Sequence, residues 1–124
     1  MRFEAVDIPQ GAEVVSASIS FVSGADTTSS ANLIIQAEDV NDAQIFTEED
    51  NNIFPSRNLT TSKVYWNNIE PWKNGVTYTT PDLKKLVQEV VNRSDWCGGS
   101  GGIAFIISSN DENPLRNART YDDQ

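Results

Sequence analysis

The chain has 124 residues, enough for one domain and short for two. Nine Lys and Arg stand against eighteen Asp and Glu, a formal charge of −9, so the chain repels a phosphate backbone and no counterion release drives association with nucleic acid. It contains no His, which excludes Ser-His-Asp and Cys-His nucleophile systems and imidazole-ligated zinc from its own residues. No apolar run approaches the roughly 18 residues of a membrane span, so no membrane insertion is expected. Met1-Arg2-Phe3-Glu4 leads into Asp7 and Pro9 rather than into a signal-peptide core. The single cysteine, Cys97, permits no internal disulfide and reads as a partly buried free thiol.

In chain order, Arg2 to Val6 predicts a short strand with Phe3 and Ala5 on one face, and Ile8-Pro9-Gln10-Gly11 a tight connection. From Val14 to Val22, Val15, Ala17, Ile19 and Phe21 alternate with serines, the pattern of a strand wet on one side. Ala31 to Glu38 predicts a second long strand, with Leu33, Ile35 and Ala37 on one side. Residues 39 to 58 are polar and broken by Pro55, a long loop with an apolar anchor at Ile45 and Phe46, and long loops are places to look for a binding surface. Thr60 to Asn67 and Val76 to Thr79 return to strand character, with Tyr65 and Trp66 on opposite faces.

One helix is predicted, from Pro81 to Arg93, with Thr80 as N-cap, Pro81 in the first helical position and Asp82 at the positive end of the dipole. Leu83, Leu86, Val87, Val90 and Val91 form its apolar stripe. Burying these five is worth on the order of 8 to 15 kcal/mol as an upper bound, well above the cost of valine's helix propensity. Glycines fill 98 to 102 except Ser100, a flexible connector, and the apolar run Ile103 to Ser108 predicts a central strand. Arg119-Thr120-Tyr121 opens a strand that the sequence does not complete. Short strands with one helix argue for an all-β, antiparallel sandwich of jelly-roll type, with the helix at about 81–93 in a connection.

Several strings carry a family resemblance: Met1-Arg2-Phe3-Glu4 with Ile8-Pro9-Gln10-Gly11-Ala12, Thr80-Pro81-Asp82-Leu83 with Val87-Gln88-Glu89-Val90-Val91-Asn92-Arg93, then Trp96, Ile103 to Ile107 and Arg119-Thr120-Tyr121-Asp122. Together they resemble the DNRLRE-type, disaggregatase-related β-sandwich modules of large secreted or surface proteins and polysaccharide-active enzymes. The resemblance spans nearly all of residues 1–124, read as a single module. It implies an extracellular or cell-surface location and a carbohydrate-binding fold, with acidic polysaccharides such as alginate among the ligands. Measured against that family, the chain lacks a flanking N-terminal strand and a closing C-terminal one. With a sheet edge left open in this way, the chain is expected either to pair with a neighbour's strand or to be less stable than a version with its flanks.

Sugar-binding modules stack aromatic faces on sugar rings and hold hydroxyls or carboxylates with polar side chains. Trp66 and Trp72 are the candidate platforms, Trp72 because Asn67, Asn68 and Lys73 lie close in sequence, although both tryptophans also suit a core. Lys73, Arg57, Arg119 and Tyr121 complete the candidate ligand set, Arg being suited to bidentate contact with a carboxylate. For a hard cation such as Ca²⁺, Glu38, Asp39 and Asp42 are the candidate oxygen ligands, at a strand end where geometry is fixed. Glu48-Glu49-Asp50 and Asn110-Asp111-Glu112 are further oxygen-rich runs without EF-hand spacing. No acid pair is tied to an aromatic motif, so the chain is not expected to be an enzyme. The expectation is a non-catalytic extracellular module that binds polysaccharide, the alternative being a structural or adhesive repeat of a surface protein or filament.

Overall fold

A computed structural model describes residues 1–46, 57–98, 100–109 and 116–119. The strands are β1 (Arg2–Phe3), β2 (Ser20–Val22), β3 (Ala31–Ala37), β4 (Val64–Ile69), β5 (Thr77–Thr79) and β6 (Ile103–Ser108), with one helix, α1 (Lys84–Val91). All pairings are antiparallel: a four-stranded sheet in the order β1-β6-β3-β4, and a two-stranded sheet of β2 with β5. Among the described residues this is the small all-β sandwich with a single helix that the patterning predicts. No helix among the described residues is long and apolar enough to cross a membrane.

The alternation along β3 works as read, burying Ala31, Leu33, Ile35 and Ala37 on one face. Ile35 faces Ile107 and Ala37 faces Phe105 across the β3–β6 ladder, so β6 adds to the same apolar surface. Over one end of that surface lies α1, whose Leu86, Val87, Val90 and Val91 pack with Leu83, Ile35, Ala37 and Trp96. Over the other end, Trp72 packs with Ala31, Leu33 and Ile69, against Phe21 of β2 and Tyr78 of β5.

The extended segment before β2 departs from the predicted strand. Only Ser20–Val22 forms a ladder, and Val15 is 79% exposed while Val14 turns inward. The physical reason lies in the residues expected to cap the helix. Thr80 Oγ1 accepts from the Ile19 N–H at 3.1 Å, Asp82 Oδ1 from the Ala17 N–H at 3.0 Å, and Gln88 Oε1 from the Val14 N–H at 2.7 Å. Side-chain oxygens thus take the N–H groups of Val14, Ala17 and Ile19, the carbonyls of Ala17 and Ile19 accept from the Leu83 and Thr80 N–H groups, and the helix begins at Lys84 with no side-chain cap. Asp82 Oδ1 also accepts from the Lys84 N–H at 2.9 Å.

The glycine-rich stretch is not merely a connector. Gly101 and Gly102 are buried, and a Cβ on Gly101 would fall 2.7 Å from the Trp96 ring. Trp96 is fixed there by its indole N–H, which donates to the Ile8 carbonyl at 2.8 Å. Cys97, by contrast, is exposed rather than partly buried. So is the expected loop anchor: Ile45 is 62% exposed, and Phe46 takes the Arg57 guanidinium over its ring.

Gly101→Ala should lower stability by about 1 to 3 kcal/mol through overpacking against Trp96, read from urea unfolding midpoints. Asp82 gives a pH signature. Its backbone bonds from Ala17 and Lys84 hold the carboxyl below the usual 3.8, so the folded chain binds this proton more weakly than the unfolded one. The stabilisation is therefore full above about pH 4 and disappears as pH falls through the lower, folded value. Asp82→Asn should be less stable than the parent at neutral pH, with the gap closing in acid, and overlapping urea curves at all pH values would refute this.

Candidate binding cleft

The four-stranded sheet ends at β4 and the two-stranded sheet ends at β5. Between these two edges lies a cleft of about 370 Å³, lined by Trp66, Asn67, Asn68, Ile69 and Glu70 on one side and by Thr77, Tyr78 and Thr79 on the other. A β-bulge shapes it. The β3–β4 register shifts between Ala31↔Ile69 and Leu33↔Trp66, which sets Asn67 and Asn68 together opposite Asn32. Asn68 takes a left-handed backbone, φ 54°, which asparagine tolerates better than most residues, and its N–H donates to Asn32 Oδ1 at 2.9 Å. Two consecutive side chains, Asn67 and Asn68, are therefore exposed where a regular strand would bury one.

Across the cleft, Thr77 and Thr79 are exposed on either side of Tyr78. Thr79 Oγ1 lies 2.9 Å from Ser20 Oγ, a cross-strand hydroxyl pair. Tyr78 stacks on Trp72 with ring centroids 4.8 Å apart and planes 4° from parallel, and its hydroxyl accepts from the Lys73 N–H at 2.8 Å. Gly75, with φ 83°, makes the turn that brings Trp72 and Tyr78 together, closed by the Val76 N–H to Lys73 carbonyl bond. Trp66 is half-buried. It borders the cleft and also a second cavity of about 340 Å³ between the sheets, shared with Phe21, Leu33 and Trp72.

The candidate ligand residues separate on this frame. Trp66 is at the cleft. Trp72, read as a platform on condition of exposure, is only 2% exposed. It is a core anchor, because Tyr78 covers one side and Phe21 and Trp66 pack around it. Lys73 is exposed beside the Tyr78 hydroxyl, and Arg119 is exposed with Nη2 on Asn74 Oδ1 at 3.2 Å. Arg57 is elsewhere, at the Glu38 end of β3, in a 2.6 Å ion pair whose side chains are 7% and 9% exposed. Tyr121 lies outside the described residues, as do Glu48, Glu49, Asp50 and the run 110–112. The cleft residues that sequence reading passed over are Glu70, Thr77 and Thr79, while Asn67 and Asn68 entered it only as neighbours of Trp72. The one signal for the bulge is the polar Asn67-Asn68 doublet before Ile69, which breaks a period of two.

The three candidate calcium ligands each have a separate engagement. Glu38 pairs with Arg57, Asp39 with Arg93 Nη1 at 3.0 Å, and Asp42 Oδ1 accepts from the Gly102 N–H at 2.8 Å. Among the described residues no three Cys, Asp or Glu side chains are grouped to hold a metal ion. A calcium ion at this strand end would compete with Arg57 and Arg93 for their carboxylates.

Comparison with family models, with curated proteins and with solved structures finds no match to this chain.

Trp72→Ala should cost about 3 to 5 kcal/mol of folding stability, as for other large aromatic truncations in a core. A loss below about 1 kcal/mol in chemical denaturation would show that the ring is peripheral.

Proposed function

We propose that this chain is a non-catalytic extracellular module that binds polysaccharide in the cleft between β4 and β5. The single observation that supports this most is the composition of the cleft: exposed Asn67, Asn68, Thr77 and Thr79 in one lining with Trp66 and Tyr78. Sugar recognition calls for amide and hydroxyl partners beside an apolar ring. The resemblance to secreted carbohydrate-binding modules supports the same reading. Among the described residues one carboxylate, Glu70, lines the cleft, whereas glycoside hydrolysis generally works with a pair, which favours the binding reading.

A second reading, a structural or adhesive repeat, draws on the outer edge of β2. Val22 and Gly24 pair there with Arg119 and Asn117. Beyond them, Ser18 and Ser20 have no backbone partner on that side among the described residues. An edge of this kind accepts a strand from a neighbouring copy.

Native gels cast with neutral, basic or acidic glycans, each run with calcium and with chelator, separate the two. Binding in the cleft should retard the chain with at least one glycan. Asn67→Ala and Thr77→Ala should each weaken retention about fivefold without moving the melting temperature, since each removes one exposed hydrogen-bonding group. A folded chain that no glycan retards, but that assembles with rising concentration in sedimentation, would displace the binding reading in favour of the repeat. Retention that vanishes with chelator would show that a metal ion takes part in binding.

A further inference from the structure

We propose that the cleft selects glycan units carrying an ammonium group, with Glu70 as the anion that pairs with them. The inference rests on the polysaccharide reading above and names its substrate class. Glu70 is the one charged side chain among the described residues that line the cleft, and no Lys or Arg lines it. It is exposed, and its carboxylate takes no hydrogen bond or ion pair among the described residues.

Among the described residues most of the other acids are engaged by the fold. Glu38 holds Arg57, Asp39 and Asp95 share Arg93, and Glu89 accepts from the N–H groups of Thr61 and Ser62. Asp26 accepts from the Asn74 N–H, and Asp42 and Asp82 are bound to backbone donors as already described. Glu70 has no such structural duty, yet it sits in the cleft between amides and hydroxyls.

No Lys or Arg is paired with that carboxylate among the described residues. Arg116 Nη2 donates to the carbonyls of Ser29, Ile69 and Glu70, so this guanidinium meets Glu70 at its backbone. Arg57 is drawn into the pair at the far end of β3, and Arg119 to Asn74. A uronate entering the cleft would meet a carboxylate, no lining cation and a chain of net charge −9. An amino sugar would meet its counter-ion. An exposed pair of this kind contributes modestly and is screened by salt, which sets the expected preference at about threefold to tenfold.

The test compares three oligomers of equal length by titration calorimetry at low salt: a glucosamine trimer, its N-acetylated counterpart and a galacturonate trimer. The glucosamine trimer should bind about threefold to tenfold tighter than the N-acetylated one, and the galacturonate trimer weakest. Glu70→Gln should bring the first two to parity, as should about 0.5 M salt in the parent. Glu13→Gln, an exposed acid outside the cleft, should keep the preference, which separates local pairing from attraction to overall charge. Tightest binding of the galacturonate trimer, or a preference that survives Glu70→Gln, overturns this inference and leaves polysaccharide binding standing. No binding of any of the three, by a chain that also fails on the glycan gels, overturns the polysaccharide reading itself.

Discussion

The fold depends on one apolar surface, the inward face of β3 carrying Ala31, Leu33, Ile35 and Ala37 with β6 beside it. A helix of eight residues covers only part of a seven-residue strand and its neighbours. The remainder needs a second cover, which is the aromatic group of Phe21, Trp72 and Tyr78 hung from the two-stranded sheet. Because helix and short sheet share the second layer, the sandwich does not close along its whole side. The cleft between β4 and β5 is the seam left by that division of labour, and it is polar because Asn67, Asn68, Thr77 and Thr79 are exposed along its two edges.

Much of this was legible in period and composition. The β3 alternation, the stripe of α1 and the apolar β6 run each state which side is buried, since a seven-residue strand or a two-turn helix has few ways to hide that many aliphatic groups. Reading failed where side chains replaced backbone. Thr80 and Asp82 have the chemistry of helix caps, and their oxygens do accept backbone N–H groups, yet two of those donors belong to Ile19 and Ala17, more than 60 residues away. A local rule identifies the acceptor and cannot identify a distant donor. Trp72 was open to both readings, a platform if exposed or a core anchor, and only its neighbours in space, Tyr78, Phe21 and Trp66, decide for the core. The cleft itself depends on a bulge, whose only trace in the sequence is two adjacent asparagines.

Charge shows the same division between local and distant. The acid-rich strand end after β3 looks like a cation site when only its own residues are considered. In the folded chain Arg57 and Arg93 arrive from later in the sequence and neutralise Glu38 and Asp39, the former pair nearly out of water. A buried pair of this kind contributes little net stability, but losing either partner strands a charge. Arg57 is thus tied to the end of β3, and Arg93 ties Asp39 to the residues after α1, remote from the cleft.

The bulge has a consequence for how this surface could diversify. Asn67 and Asn68 project together from β4 while Ile69, the next residue, is back in the core. Variation at 67, and at the facing positions 77 and 79, therefore alters the lining of the cleft while the buried residues keep their volumes and partners. Position 68 is different, since its left-handed backbone admits chiefly asparagine, aspartate or glycine. A library drawn across this seam would have freely interchangeable sites on both walls and one fixed hinge, so new specificities could be sampled with little loss of folded protein.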